Sequence, residues 1–374
     1  MSRSKVAIID LIRRKEEHYT FNFITINSLI NLYDRAECWL SADVSYLDDI
    51  KDKAKINKLS IRNSKFYYWV VSSLRLSSLL FKLNKTPVFL LSLTPLQYLI
   101  TSFISCFKSN DIYAFMHGEL GYLKNPVGLG QKAGASFIKC SLRFGKVNFI
   151  CINSPVHSAM SKLFPDRKFS FVEHPTAQTE PVKKGEFPSG SINFGSFGVH
   201  SAEKGSDKIY GLTKLLDMDS NDTIRLMTVG VTDGSFQYDQ SEHVTHYCRG
   251  MLREALISKE DFFSSVSKID VALIFNNSTR TDEEKYDLVS SGVFSDCIAF
   301  LIPVVAMKNK QLETYFTKYG EFGVLCNSID EMRDAVKKIS ADRNILNKYR
   351  STMMNIKKQF SASEHQKKIH EIIK

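Results

Sequence analysis

The sequence lacks the features that mark a secreted, disulfide-bonded or zinc-binding protein. Its seven cysteines are odd in number, widely scattered and never spaced as Cys-x-x-Cys, which argues against a disulfide framework and against a zinc site. The apolar stretch from Val6 to Ile12 is followed by Arg13-Arg14-Lys15, and it is too short for the hydrophobic region of a secretion signal. We therefore expect a protein of the reducing cytosol.

Long uncharged runs are scarce as well, and one of them is long enough to resemble a membrane span. The run from Thr86 to Phe107 has about the length that a bilayer requires. It contains Pro87 and Pro95, and a residue before proline avoids the helical conformation. We expect a buried strand from Val88 to Leu93, followed by a helix that Pro95 opens, rather than a membrane span.

Acidic residues are missing from a long part of the first half, because no Asp or Glu occurs between Asp52 and Asp111. Residues 1–180 contain 24 Lys or Arg against 14 Asp or Glu, whereas the remaining residues contain 26 of each. The whole net charge of +10 therefore arises in the first half. No pattern of a nucleic-acid-binding module accompanies this charge, so we expect no nucleic-acid partner.

Basic residues alternate with aromatic ones inside the acid-free stretch. This combination is typical of a segment that lies on anionic lipid headgroups. A core helix with solvated basic side chains is the alternative. The residues that we select for a membrane or acceptor contact are Arg62, Lys65, Trp69 and Arg75.

Short apolar runs alternate with helical patterns along both halves, which predicts βαβ units and parallel sheets. In the first half the predicted strands are Val6 to Ile9, Pro87 to Leu93, Asp111 to Met116, Val147 to Ile152 and Phe169 to Val172. In the second half they are Ile192 to Phe197, Ile224 to Val229, Ile269 to Phe275, Pro303 to Ala306 and Gly323 to Cys326. The predicted fold class is α/β with two Rossmann-like parallel-sheet domains that face a cleft.

The boundaries follow from composition. The prediction is a first domain at residues 1–175, a Pro- and Gly-rich linker at 176–190, a second domain at 191–355, and a C-terminal helix at 356–374 that packs back on the first domain. Ligands of such sheets bind at the carboxyl ends of the strands.

Two stretches of the second half predict phosphate binding. The first is a Ser290-Ser291-Gly292 turn that opens a helix, whose unpaired N–H groups attract an anion. Asp296 lies one turn later on the same face and would accept hydrogen bonds from a ribose. An ordinary N-capped helix with a dipole-complementing acid is the alternative.

The second stretch runs from a strand through Gly195 and Gly198 to Lys204, and enters a helix that we expect Ser206 to cap. Backbone N–H groups of a glycine turn and a lysine ammonium together suit a diphosphate. The stretch matches neither a P-loop nor a Gly-x-Gly-x-x-Gly motif.

The second half resembles the donor domain of GT-B-fold glycosyltransferases, most closely those like family 4, over residues 190–345. The stretch from Phe194 to Gly205 resembles the family's strand, glycine turn and lysine. The stretch from Asp296 to Val305, "DCIAFLIPVV", resembles its "E-A-M-A-x-G-x-P-V-V". The resemblance implies a nucleotide-sugar donor as substrate, with no cofactor and no metal, and a basic first domain for the acceptor. It implies roles in donor binding for Gly195, Gly198, His200, Lys204, Ser290, Ser291, Gly292 and Asp296.

The sequence departs from that family at two positions. Val199 stands where an arginine is usual, and only His200 beside it offers a partial substitute. Leu288, with Asp287 adjacent, stands where a glutamate normally faces the transferred sugar.

For acid-base chemistry the selected residues are His117, which follows a predicted strand directly, and Glu119 as the alternate base. An imidazole can accept a hydroxyl proton near neutral pH. A structural histidine is the alternative for His117. We expect a surface role for His18, and His174 begins the predicted linker. No Asp-x-Asp pair at a strand end and no His or Cys spacing suggests a metal.

Together these patterns predict a metal-independent hexosyltransferase. It would move a sugar from a nucleotide diphosphate to a glycan acceptor. The resemblance to the family implies that the acceptor is lipid-linked and that the reaction serves the assembly of a surface polysaccharide such as O-antigen or capsule, at the inner face of the plasma membrane. The alternatives are a nucleotide-sugar epimerase of the same fold and an inactive basic protein that binds the membrane periphery.

Overall fold

The computed structural model describes residues 5–11, 18–42, 44, 46–60, 67–124, 126–176, 190–218, 223–238, 241–252, 257–275, 288 and 291–374. The chain divides into two compact units. The first comprises Met1–Thr176, Glu284–Ser290 and Gln359–Lys374, and the second comprises Ala177–Glu283 and Ser291–Lys358.

Within the described residues, the first unit is built on a seven-stranded parallel sheet of order β3-β2-β1-β4-β5-β6-β7. Its strands are β1 (Val6–Asp10), β2 (Ala36–Ser41), β3 (Lys55–Leu59), β4 (Val88–Ser92), β5 (Ile112–Met116), β6 (Val147–Cys151) and β7 (Ser170–Phe171). Its helices are α1 (Tyr19–Leu32), α2 (Leu47–Ile50), α3 (Ser72–Lys82), α4 (Pro95–Ser105), α5 (Gly128–Arg143) and α6 (Ser154–Leu163). A short π-helix at Tyr67–Val71 precedes α3, and a 3₁₀-helical turn covers Gly118–Leu123.

The second unit contains a six-stranded parallel sheet of order β10-β9-β8-β11-β12-β13 within the described residues. Its strands are β8 (Ile192–Phe197), β9 (Ile224–Val229), β10 (Val244–Tyr247), β11 (Val271–Ile274), β12 (Val304–Met307) and β13 (Gly323–Cys326). Its helices are α7 (Lys208–Leu216), α8 (Lys259–Val266), α9 (Gly292–Phe300), α10 (Lys310–Tyr319), α11 (Ile329–Ala341) and α12 (Asn344–Gln359).

The last helix, α13 (Ala362–Ile373), belongs to the first unit, where it packs against α1. Ile369 and Ile373 are buried in that unit's core, and His365 Nε2 lies 2.9 Å from the hydroxyl of Thr25. The Thr176 amide donates to the Phe360 carbonyl at 2.9 Å. The first domain is therefore built from both ends of the chain.

The uncharged run at residues 86–107 forms a strand and a helix, as predicted. β4 supplies buried Val88 and Leu90 to the core, and Pro95 occupies the first turn of α4. A capping box between Thr94 and Gln97 provides acceptors for backbone N–H groups at the start of α4. Across the described part of the chain, no helix is long and apolar enough to cross a bilayer.

Candidate functional site

The order of the second sheet reverses between β8 and β11, which are neighbours although they are not consecutive in the chain. The connections that leave such a pair of parallel strands diverge, and the crevice at their carboxyl ends is the usual ligand site of doubly wound sheets. The glycine turn of the sequence leaves β8 at this point, and α9 follows β11 along the chain.

The two predicted phosphate-binding stretches are neighbours in the structure. Gly198 directly follows β8 and has a φ of +100°, a conformation that favours glycine. A Cβ at Gly198 would lie 3.3 Å from Cγ2 of Val293 in the first turn of α9. The absence of a side chain therefore lets the turn after β8 approach the beginning of α9 closely.

The beginning of α9 is open. Ser291 occupies the N-cap position in an extended conformation, yet its side chain makes no capping hydrogen bond. Both Ser291 and Gly292 are exposed, so the first N–H groups of the helix are not covered by a cap. An uncapped helix N-terminus with a serine hydroxyl beside it is suited to an anion. Ser290 lies outside the described residues.

His200 and Lys204 line the turn that follows β8. Lys204 is partly buried, and its ammonium donates to the Val199 carbonyl at 3.0 Å. Burial lowers the pKa of Lys204. Burial, together with the charge of Lys204, lowers the pKa of His200 to about 4. The positive charge of this turn at neutral pH is therefore that of Lys204.

His200 itself is 1% exposed. One of its ring nitrogens bonds the Val229 backbone, while Nε2 is buried and has no hydrogen-bond partner among the described residues. A buried polar atom without a partner is costly and calls for an explanation such as a ligand. In the neutral ring this nitrogen is an acceptor, so it suits a hydroxyl more than a phosphate.

Asp296 is partly buried in α9, one turn after Gly292. Burial raises the pKa of its carboxyl to about 7. A carboxyl in this range is readily ionised by hydroxyl donors, since hydrogen bonds to the charged form lower the pKa.

Two details of the glycine stretch differ from expectation. Gly195 lies inside β8, where a Cβ would meet Ile269 at 2.7 Å and Met227 at 2.9 Å, so packing explains this glycine. The prediction that Ser206 caps α7 is wrong. The helix begins at Lys208 after Asp207, and the Ser206 hydroxyl instead accepts from the Ser201 amide.

The first sheet also reverses its order, between β1 and β4. The carboxylate of Asp10 at the end of β1 is fully buried. It accepts hydrogen bonds from Asn22 at 2.7 Å, Tyr46 at 2.8 Å and Ser92 at 3.2 Å. The sequence reasoning missed this residue, although an acid at the end of the apolar run "VAIID" was a usable signal.

His117 follows β5 at the same edge of the first sheet and is 2% exposed. Its Nε2 lies 2.7 Å from the Leu91 carbonyl. Because a carbonyl only accepts, Nε2 carries the proton, and the lone pair of the neutral ring is on Nδ1. Nδ1 is buried with no hydrogen-bond partner in the described part of the chain. Burial, with a smaller effect of His18, lowers the pKa of His117 well below its ordinary value.

The expected surface role of His18 is wrong. His18 has a left-handed backbone with a φ of 58°, and its ring centroid lies 4.3 Å from that of His117. Phe21 contacts His117, His174 and His365 at centroid distances of 5.1, 5.5 and 5.6 Å. Burial lowers the pKa of His18, His174 and His365 to about 4. These rings therefore form a neutral cluster around Phe21.

Glu119 lies in the Gly118–Leu123 turn and is partly buried. Burial and then the charge of Glu119 raise the pKa of Tyr122. The pKa of Tyr98 is raised by the same two causes in the same order. The carboxylate therefore lies near both phenols, on the turn that begins at His117.

The basic aromatic segment is more enclosed than predicted. Trp69 and Arg75 are partly buried, and the Arg75 guanidinium donates to the Ser60 carbonyl. Arg62 and Lys65 lie outside the described residues. Leu288, the position at which the resemblance implies a glutamate, is 1% exposed and packs in the first unit's core. No group of three potential metal ligands occurs among the residues that the structure describes.

No protein-family model matches the sequence, and no curated protein does either. Solved structures match over the whole chain. HepE from Anabaena in complex with UDP has a TM-score of 0.66 and 13% identity, over 99% of both chains. Sucrose-phosphate synthase from Thermosynechococcus elongatus has a TM-score of 0.67 and 13% identity, over 99% of this chain and 98% of its own.

The lipopolysaccharide outer core galactosyltransferase WaaB, in its apo form, has a TM-score of 0.59 and 13% identity over 99% of both chains. At these identities the likeness concerns the fold. The two parallel-sheet units agree with it, and the prediction from the sequence is confirmed: the chain has the GT-B fold.

Proposed function

We propose that this protein is a glycosyltransferase. The second unit would bind a nucleotide diphosphate sugar, and the first would bind a glycan acceptor. The observation that carries the proposal is the close approach of the Gly198 turn to the open beginning of α9 at the switch point of the second sheet. Lys204 lies on the same turn.

The diphosphate would bind the first N–H groups of α9 and the serine hydroxyl beside them. Lys204 would exchange its bond to the Val199 carbonyl for a phosphate oxygen. The helix dipole and the ammonium group would then stabilise the negative charge that develops on the departing diphosphate. In this scheme these groups do the work that a metal does in other transferases.

The nucleoside would be positioned by Asp296, whose partly buried carboxyl gains an ionised state when ribose hydroxyls donate to it. HepE was solved with UDP and with UDP-glucose, so uridine nucleotides are the first donors to test. A hexose is the first sugar to test for the same reason.

In the transfer, the acceptor hydroxyl forms a bond to the anomeric carbon while the bond from that carbon to the diphosphate breaks. The hydroxyl proton needs an acceptor. The Nδ1 lone pair of His117 and the carboxylate of Glu119 lie on one turn at the carboxyl edge of the first sheet. Because the pKa of His117 is depressed, its Nδ1 is better suited to orienting a sugar hydroxyl, and Glu119 is better suited to take the proton.

We further propose a lipid-linked acceptor and a part in the assembly of a surface polysaccharide, such as O-antigen or capsule, at the cytoplasmic face of the membrane. The excess of basic residues in the first half supports a location beside anionic lipid. The structural likeness to an enzyme of the lipopolysaccharide outer core agrees with this setting.

The first experiment measures thermal stabilisation of the purified chain by UDP, GDP, CDP, ADP and dTDP and their sugars. The wild type is compared with Lys204→Ala and Asp296→Ala. Lys214→Ala serves as the control, because Lys214 is an exposed lysine at the far end of α7. We expect a shift with one nucleotide that Lys204→Ala and Asp296→Ala abolish and Lys214→Ala retains.

The absence of a shift with every nucleotide would overturn the donor site and favour an inactive binding protein. If the nucleotide sugar is bound and converted without any acceptor, the epimerase alternative is correct.

A further inference from the structure

Exposed apolar side chains are concentrated on one helical layer of the first unit. Nine large apolar side chains are exposed in the described residues, and six of them belong to α3, α4, α5 and their ends. These six are Leu74, Phe81, Phe103, Phe107, Val127 and Leu129, with exposures of 63, 57, 58, 70, 71 and 87%. We call this the α3–α5 surface.

The three helices form a continuous layer, because α4 packs against both α3 and α5. Their inner faces supply Leu76, Leu80, Ile104 and Ile138 to the core. The six apolar residues stand on the opposite side, so the packing of the sheet does not need them. An exposed apolar cluster of this kind marks a site of interaction.

The cluster extends along the layer. A Cβ at Gly134 would lie 3.2 Å from Pro95, and the Ser102 hydroxyl donates to the Ser141 carbonyl, so α4 and α5 run in the same direction. Val127 and Leu129 therefore lie at the beginning of the layer, and Phe103 and Phe107 lie at its end. The rings of these two phenylalanines are 5.2 Å apart.

The charge of the layer is of one sign. None of the sequences of α3, α4 and α5 contains Asp or Glu. Lys82, Lys132, Lys139 and Arg143 are exposed on α3 and α5. Lys108 places its ammonium 5.4 Å from the centre of the Phe81 ring and donates to the Phe81 carbonyl. A lysine thus lies directly against an exposed phenylalanine of this layer.

We propose that the α3–α5 surface docks on the headgroups of an anionic phospholipid bilayer, with its apolar side chains inserted and its lysines bound to lipid phosphates. A protein partner is a poorer fit, since the cores of protein interfaces are depleted in lysine. The Gly118–Leu123 turn, which carries Glu119, precedes Val127 by a few residues along the chain. The proposal deepens the proposed function, because docking would hold this turn close to a lipid-linked acceptor.

The test is co-sedimentation of the full chain with vesicles of phosphatidylcholine alone and with added phosphatidylglycerol. The wild type should bind the anionic vesicles and bind the neutral ones weakly. Phe103→Ser with Phe107→Ser should lower the partition coefficient about tenfold or more, because two aromatic rings would no longer be buried in the bilayer. Lys132→Glu with Lys139→Glu should lower it about thirtyfold or more, which corresponds to about 1 kcal/mol for each of the two lysines.

The matched controls are Met354→Ser and Lys358→Glu, which change an exposed apolar and an exposed basic residue of α12. They should bind as the wild type does. Failure of the wild type to bind anionic vesicles, or equal loss in the controls, would overturn the proposal. Thermal stabilisation by nucleotide is measured on the same variants, so a failed docking surface is distinguished from a failed donor site.

Discussion

The hydroxyl of Ser92 lies 3.2 Å from the carboxylate of Asp10. The two residues end β4 and β1, the neighbouring strands at which the order of the first sheet reverses. Asn22 of α1 and Tyr46 donate to the second carboxylate oxygen. One buried carboxylate therefore ties two strand ends to the chain segments that cover them.

Replacement of Asp10 should destabilise the first unit strongly. Asp10→Ala leaves the Asn22 amide and the Tyr46 hydroxyl buried without an acceptor, and each such group costs about 1–3 kcal/mol. We expect a loss of about 3 kcal/mol or more in urea unfolding. Ser92→Ala removes a single longer bond and should cost about 1 kcal/mol. Equal stability of the two variants would contradict the central position of the carboxylate.

Gly198 and Gly211 form a matched pair of glycines in the second unit. Gly198→Ala places a Cβ at positive φ and 3.3 Å from Val293, so we expect a stability loss of about 1–2 kcal/mol and nucleotide binding weakened about tenfold or more. At Gly211, inside α7, no atom lies within 4 Å of a Cβ. Gly211→Ala should leave binding unchanged and stabilise the helix by about 0.5–1 kcal/mol. Calorimetric titration with the nucleotide identified above measures both, and weakened binding in Gly211→Ala alone would count against the site.

Asp296 should make nucleotide binding depend on pH. Burial raises the pKa of its carboxyl to about 7 in the unliganded chain, and ribose hydroxyls would donate more strongly to the ionised form than to the protonated one. Affinity should therefore rise as the pH increases through 7. Since the nucleotide phosphates titrate too, Asp296→Asn is titrated in parallel, and the difference between the two profiles isolates the carboxyl.

The same carboxyl should make the folded chain less stable as the pH rises, whereas the nucleotide affinity increases. Its pKa in the folded chain lies above the unfolded value of about 3.9, so the folded state holds the proton more tightly. Wild-type stability should decrease relative to Asp296→Asn as the pH rises from 4 to 8. Thermal unfolding of both proteins across this range measures this decrease. If the carboxyl were solvated, the difference between their unfolding temperatures would stay constant.

The histidines around Phe21 should make the first unit sensitive to acid. Burial lowers the pKa of His365 to about 4, whereas an unfolded chain titrates near about 6.5. The unfolded state therefore binds more protons between these values, so the stability is fully present above about 6.5 and is lost as the pH falls through 4. Burial is the cause of this shift, and it outweighs the hydrogen bond to the Glu173 carbonyl, which by itself raises the pKa. Urea unfolding at pH 7 and 4.5 should show a smaller decrease for His365→Gln than for the wild type, and equal decreases would contradict the assignment.

The sequence predicted strands whose residues are mostly apolar. β1, β4, β5 and β12 are buried in every or nearly every residue, and their runs are visible as hydrophobic segments. β3 and β10 escaped prediction because they are sheet edges with exposed polar residues, as "KINKL" and "VTHY" show. β2 alternates buried and half-buried residues and includes Glu37, so it too lacks an apolar run.

The candidate site was predictable only where a local motif carries the chemistry. Glycines, a lysine and a helix start are local, and their stretches were found before the fold was known. The contact between Gly198 and Val293 joins segments far apart in the chain, and the pairing of His18 with His117 depends on a left-handed turn. Such contacts follow from the order of the strands, which a single sequence does not specify.

The position of α13 has a consequence for synthesis on the ribosome. The first unit needs Ile369 and Ile373 for its core and His365 beside Thr25, and these residues follow the whole second unit along the chain. The second unit is translated completely before them, so it can fold first, although an N-terminal domain usually precedes the next one. Until α13 emerges, nascent chains would expose an unfinished apolar face on α1, which makes them prone to aggregation and to chaperone binding during that interval.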